Sequence, residues 1–208
     1  MKKSTELRLG SNVIELLIPH RRPFFMVDRI LAYERAPVPH LLASRHISAN
    51  EEIFSGHFPS LHLWPGSYTQ EGLGQSCYLL SVLSRFQKGW EALGGDPEDV
   101  LAALRNLELG FRLHPGYRPD LSSRLFEPLR SLSAQVGVSS SVEMKFLTPV
   151  FPGQRLDYDV RLTLEIGDQL RFEVEALVEE KAVARGVMLA MIRAIAPAIS
   201  GTGNRVTS

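Results

Sequence analysis

Phe54-Ser55-Gly56-His57-Phe58-Pro59, then Trp64-Pro65-Gly66-Ser67, then Gln70-Glu71-Gly72-Leu73-Gly74-Gln75: the reading of this chain turns on this stretch. Pro65-Gly66-Ser67 is its best helix start, because proline fits a first helical turn whose N–H has no intrahelical partner. Leu73, Cys77, Leu80 and Leu83 follow at helical spacing, which predicts a buried central helix over 68–86. Gly72 and Gly74 each weaken such a helix by about 1 kcal/mol relative to alanine. They make sense where something approaches the helix closely. Gln75 lies four residues after Glu71, on the same face and within reach of its carboxyl group. A histidine in a turn, a carboxylic acid, and the free N–H groups of Gly66 and Ser67 together supply a general base, a general acid and an oxyanion site.

Upstream, residues 1–10 read as polar and frayed. Ser11 or Asn12 is expected to cap a short helix through Leu17, closed by Pro19. Strands are expected over 27–34 and 42–48, separated by a loop with Pro37 and Pro39. Downstream, Val160, Leu162, Leu164 and Ile166 alternate with polar residues, as do Phe172, Val174, Ala176 and Val178. Gly167-Asp168 suits the hairpin turn between them, and a second turn near 179–181 leads into a strand over 183–194. With 136–147 this makes four antiparallel strands in succession. Residues 87–135 fit least well. Asp96-Pro97 opens a short helix through Leu104, and arginines 105, 112, 118, 124 and 130 are interspersed with three prolines. The segment reads as an excursion, either a lid or interface arm or a solvated loop with short helices. The tail from Ser200 is expected to be disordered, leaving one domain over 1–199.

Composition excludes several classes. The 208 residues carry 23 Lys+Arg against 23 Asp+Glu, so the electrostatic footprint of a nucleic-acid binder is missing. The single cysteine, Cys77, excludes an internal disulfide framework and a multi-cysteine zinc site. No apolar run approaches the roughly 20 residues that span a bilayer. The basic start Met1-Lys2-Lys3 is not followed by the apolar segment of a signal peptide. A soluble, cytoplasmic protein is the expectation.

Three separated segments resemble the FabZ-type (3R)-hydroxyacyl-acyl-carrier-protein dehydratases of the hotdog superfamily. The first is Ile18-Pro19-His20-Arg21-Arg22-Pro23-Phe24-Phe25-Met26-Val27-Asp28-Arg29. The second is Gly56-His57-Phe58-Pro59 with the following Pro-Gly pair, Glu71 and Gln75. The third is Phe146-Leu147-Thr148-Pro149-Val150-Phe151-Pro152-Gly153-Gln154. They cover roughly 18–85 and 136–195, in order. The resemblance implies an α+β hotdog fold, a long central helix wrapped by a curved antiparallel sheet, here with an extended insertion after the helix. It implies loss of water from a (3R)-hydroxyacyl thioester, carried on the phosphopantetheine of an acyl carrier protein, to give the trans-2-enoyl thioester. His57 would be the base, Glu71 the acid, the Gly66 N–H the oxyanion donor, and Ser67 and Gln75 their support. Phe58, Trp64 and Tyr68 are candidates to wall the substrate tunnel. The His and Glu of one site would come from different subunits, so a homodimer is implied, with a heterodimer of related subunits as a variant.

The chain departs from the family pattern at Ser60-Leu61-His62-Leu63 and at Ser67-Tyr68, which bears on pocket shape and partner choice rather than on acid and base. No metal or nucleotide cofactor is expected, because neither metal-ligand spacing nor a glycine-rich nucleotide loop is present. His20, His40, His46, His62 and His114 read as ordinary, with His62 near enough in sequence to line the site's entrance, Asp28 with Arg29 as a structural ion pair or strand-end contact, and Cys77 as inert packing. Two rival readings follow from the same fold: an acyl thioesterase, and a non-catalytic acyl-binding subunit of a heteromeric dehydratase.

Overall fold

The computed structural model describes residues 5–132 and 135–194; the tail expected to be disordered lies outside the described residues. Among the described residues, seven antiparallel strands form one sheet in the order β1-β2-β3-β5-β6-β7-β4. They are β1 (Thr5–Gly10), β2 (Arg29–Glu34), β3 (His40–His46), β4 (Gln135–Phe146), β5 (Arg155–Ile166), β6 (Gln169–Val178) and β7 (Lys181–Ala194). Helix α2 (Gly66–Ala92) lies on the sheet against β3, β5, β6 and β4. This is the hotdog arrangement.

Helix α2 is enclosed on several sides, which explains its composition. Leu73, Leu79, Leu80, Leu83 and Phe86 are fully buried. Two of its buried serines turn their hydroxyls back onto their own helix, Ser76 onto the Gly72 carbonyl at 2.8 Å and Ser81 onto the Cys77 carbonyl at 2.9 Å. That satisfies them without a partner in the core. Gly72 is required by close approach: a Cβ there would stand 2.2 Å from the Tyr158 hydroxyl.

The structure corrects several expectations. Thr5–Gly10, read as frayed, is an edge strand that buries Leu7 and Leu9. Helix α1 (Ser11–Leu17) is capped by Gly10 without a side-chain bond, in place of Ser11 or Asn12. The Gly10 N–H instead donates to Glu108 at 2.8 Å. Strand β4 does not neighbour β5; it pairs with β7 and forms the far edge.

Residues 97–132 are a packed layer rather than a solvated loop. Helix α3 (Pro97–Leu113) begins at a capping box in which Asp96 accepts from the Glu98 N–H and Asp99 accepts from the Asp96 N–H. Its Val100, Leu101, Leu104 and Leu107 are buried, about 1.5–3 kcal/mol each in hydrophobic terms. The short helix α4 (Glu127–Leu132) follows, and Phe126 meets Phe86 of α2 at 6.0 Å between ring centroids. The arginines of this segment are largely engaged. Arg105 donates to the Glu6 carbonyl, Arg112 to Glu108, and Arg124 to the Leu93 carbonyl.

Two glycines in the second and third turns of the same helix face opposite tests. Gly74→Ala meets only Met188 Cε at 3.5 Å, an ordinary contact, and is expected to leave stability unchanged or raise it by up to about 1 kcal/mol. Gly72→Ala must displace Tyr158 and is expected to cost about 1–3 kcal/mol in urea unfolding. Equal effects at the two positions would contradict this packing.

Candidate active site

Arg45 at the end of β3 organises the loop that carries His57. Its guanidinium is largely buried, donates to Asp28 at 3.0 Å, to the Phe25 carbonyl at 3.1 Å and to Glu51 at 2.5 Å, and lies over the Trp64 ring. Asp28 therefore pairs with Arg45, where Arg29 had been expected. Its second oxygen accepts the His46 N–H at 2.8 Å. Burying a cation is costly unless it is paired and hydrogen-bonded, and these partners come from three separate segments. Pairing therefore holds the segments together.

From Glu51 the chain makes a 3-10 turn, Glu52–Ser55, and the His57 N–H closes it on the Ile53 carbonyl at 2.9 Å. His57 and Leu63 are tied twice. The Leu63 N–H donates to the His57 carbonyl at 3.1 Å, and His57 Nδ1 lies 2.7 Å from the Leu63 carbonyl oxygen. A carbonyl only accepts, so the proton sits on Nδ1, and Nε2 keeps a free lone pair. The Trp64 N–H then donates to Val150 at 2.9 Å, which brings the third motif segment beside the loop.

Glu71 stands in the second turn of α2, partly exposed. Gln75, almost fully buried, donates from Nε2 to Glu71 Oε1 at 2.9 Å and to the Phe24 carbonyl at 2.8 Å, and accepts the Met26 N–H at 2.8 Å. The Gln75 side chain thus orients the carboxyl group and ties it to the 18–29 segment. Both residues line a cavity of about 340 Å³ whose walls beyond them are mainly apolar.

Sequence reasoning passed over His20. Its Nε2 lies 3.7 Å from Glu71 Oε1, and its ring meets Tyr78 edge-on within the same cavity. Its Nδ1 is buried and has no hydrogen-bond partner among the described residues. Nothing in local spacing links positions 20 and 71; the one available signal was that His20 falls inside the first motif segment.

The remaining candidates fall elsewhere. Gly66, whose added Cβ would touch the Phe146 ring at 3.0 Å, lines a second cavity of about 360 Å³ together with Trp64. Gly66 and Ser67 open α2, where N–H groups lack intrahelical acceptors. Tyr68 packs on Trp64 at 5.3 Å, and Phe58 is exposed and stacks on the His57 ring at 4.3 Å. Neither lines either cavity. Among the described residues, no hydrogen bond, ion pair or ring contact joins His57 to Glu71, and His57 does not line the Glu71 cavity.

A family model described as the FabA-like domain matches residues 18–98, which spans the first two motif segments and all of α2. The FabZ 3-hydroxyacyl-[acyl-carrier-protein] dehydratase of Anaeromyxobacter sp. (strain Fw109-5) is 31% identical over 179 residues, covering 86% of this chain and 87% of the relative. The chain belongs to the FabZ family. Its FabZ relative from Helicobacter hepaticus is 27% identical over 184 residues, with 86% of each chain covered. That from Neisseria meningitidis (serogroup C, strain FAM18) is 43% identical over 79 residues, 38% of this chain and 52% of the relative. Among solved structures, a chain of the dehydratase heterocomplex ApeI:P from Xenorhabdus doucetiae superposes with a TM-score of 0.53 at 13% identity, covering 86% of this chain and 89% of that one. At that identity the likeness concerns the fold alone. Within this FabZ family chain, no helix of the described residues is long and apolar enough to cross a membrane.

Burial lowers the His20 pKa below its ordinary 6.5, outweighing the raising effect of Glu71, while Arg21 lowers it further. The folded state therefore resists a proton that the unfolded chain accepts below about pH 6.5, so stability is lost as pH falls through that window. Thermal unfolding between about pH 7.5 and about pH 5.5 is expected to show a smaller loss in His20→Asn than in the parent. An identical loss in both would remove this role of His20.

Proposed function

We propose that this chain dehydrates (3R)-hydroxyacyl thioesters held on an acyl carrier protein, with His57 of one copy and Glu71 of a second copy completing each site. The observation that carries the reading is the pair of prepared but separated groups: His57 with a bare Nε2, and Glu71 at an apolar cavity that His57 does not line. Two copies related by a twofold axis would bring each group to the other's site twice over. Strand β4, a 12-residue edge paired among the described residues with β7 alone, offers the unpaired N–H and C=O groups along which two sheets can join.

His57 Nε2 removes the proton from C2 of the substrate. The electron pair moves toward the thioester carbonyl, whose oxygen gains charge and is met by the Gly66 N–H at the positive end of α2. The C3–O bond then breaks as Glu71 gives its proton to the departing hydroxyl, and water leaves. The trans-2-enoyl thioester forms, leaving a carboxylate and an imidazolium that are reset when one proton passes back. Gln75 keeps the carboxyl group aimed through these steps. Neither step calls for a metal or a redox cofactor. The carrier's phosphopantetheine belongs to the substrate.

Mass spectrometry of 3-hydroxyacyl thioesters incubated with purified protein tests this, read also in the reverse direction as hydration. Loss of water is expected, lowered about 10²–10⁴-fold in His57→Ala and in Glu71→Gln. Release of free thiol without enoyl product would make the protein a thioesterase instead.

A further inference from the structure

His20 stands beside the candidate acid, and the fold holds it there from both ends of its segment. Before it, the Arg21 guanidinium donates to the His20 carbonyl at 2.7 Å and to the Ile18 and Glu15 carbonyls at 2.9 Å each, which fixes the turn leaving α1. After it, Gln75 holds Phe24 and Met26 by their backbone groups. The His20 ring meets Tyr78 edge-on at 6.3 Å, and the Tyr78 hydroxyl is tied to the Gln135 carbonyl at 2.8 Å.

The two oxygens of Glu71 are unlike. Oε1 accepts from the Gln75 amide at 2.9 Å and lies 3.7 Å from His20 Nε2. Oε2 has no hydrogen-bond or ion-pair partner among the described residues. A neutral imidazole carries one N–H. Nε2 is the nitrogen with an acceptor in view, whereas Nδ1 is buried and has no partner among the described residues. The ring therefore presents Nε2–H toward Oε1. A proton on Oε1 would face two N–H groups, while a proton on Oε2 leaves Oε1 free to accept from both.

This arrangement needs a neutral His20. Burial lowers its pKa, Glu71 raises it, and Arg21 lowers it further. On the same cavity wall, burial pushes the Cys77 thiol and the Tyr78 hydroxyl up, so neither adds a charge. The residues that β4, β6 and β7 contribute to the cavity have no ionisable side chain. An imidazolium at this position would favour the ionised carboxylate and leave Glu71 no proton to give.

We propose that His20 is a positioning residue for the acid: its Nε2–H keeps the Glu71 proton on Oε2, the oxygen free to meet the departing hydroxyl. The inference rests on the reading of Glu71 as the group that protonates that hydroxyl. His20 touches no reacting atom in this role and acts through the carboxyl group. Its effect is therefore confined to reactions in which a proton has to be given.

The test crosses two kinds of variant with two substrates. His20→Phe keeps a ring beside Tyr78 and loses the N–H, and His20→Leu is a second donor-free variant should the first not fold. His20→Gln loses the ring and keeps an N–H. Each protein is assayed on a 3-hydroxyacyl thioester, which loses water, and on the matching 3-chloroacyl thioester. With the chloride, the base takes the C2 proton, that electron pair forms the C2–C3 double bond, and the C3–Cl bond breaks to release chloride without a proton. His20→Phe is expected to lower kcat for water loss at least about tenfold with KM changed less than about threefold. For chloride loss the defect is expected to shrink below about threefold, and His20→Gln is expected to regain most of the rate that His20→Phe loses. Equal defects on the two substrates, or Phe tolerated and Gln impaired, would mean that the ring serves packing alone and would overturn the inference. Water loss in the parent with none of the variants impaired would overturn this inference and leave the dehydratase reading standing. A parent that releases chloride but never water would overturn the reading of Glu71 as acid, and this inference with it.

Discussion

A single buried amide holds the Glu71 side of this structure together. Gln75 has one acceptor and two donors in use, and each goes to a different place: the Met26 N–H, the Phe24 carbonyl and the Glu71 carboxyl group. Two of those partners are backbone groups of the segment entering β2. An unpaired buried backbone group costs about 1–3 kcal/mol, so the amide fixes both the path of that segment and the aim of the carboxyl group. The path matters because the same segment presents His20 to Glu71 and Asp28 to Arg45. One helix residue therefore links the candidate acid to the support of the candidate base.

The His57 side depends on charge in place of amides. Arg45 gathers Asp28, the Phe25 carbonyl and Glu51 and rests on Trp64, and the His57 turn hangs between Glu51 and Trp64. The double tie between His57 and Leu63 then fixes the ring and its tautomer. This explains how the unusual Ser60-Leu61-His62 sequence is tolerated. The ties run between backbone groups and the histidine, and Phe58 and Leu61 close the loop through their own backbone bonds. Side-chain identity at 60 and 61 is left free to vary, whereas the His62 ring stacks on Phe54 at 5.4 Å between centroids.

What the sequence disclosed follows from distance along the chain. The long helix, the β5–β6 and β6–β7 hairpins and the Glu71–Gln75 pair are local patterns, written in periods of 3.6, 2 and 4 residues. The Asp28–Arg45 pair and the His20–Glu71 approach span 17 and 51 residues and depend on a completed fold. Strand β1 was missed because its alternation amounts to Leu7 and Leu9 alone. The full α3 was missed because arginine, proline and glycine dominate the segment around it, although its Asp96-Pro97 start was legible. The place of β4 at the sheet edge is a matter of topology that no local period records. The reactive residue types stood out locally, whereas their separation within one chain was implied by the family resemblance and not by any local pattern.

That separation is the central claim, and complementation tests it directly. His57→Ala and Glu71→Gln are co-expressed with different affinity tags, and the doubly tagged assembly is assayed for loss of water from a 3-hydroxyacyl thioester. If each site takes its base from one copy and its acid from the other, mixed assemblies contain one intact site, and activity returns well above that of either variant alone. A doubly tagged assembly as inactive as its two components would place both residues in a site within one copy and contradict the account.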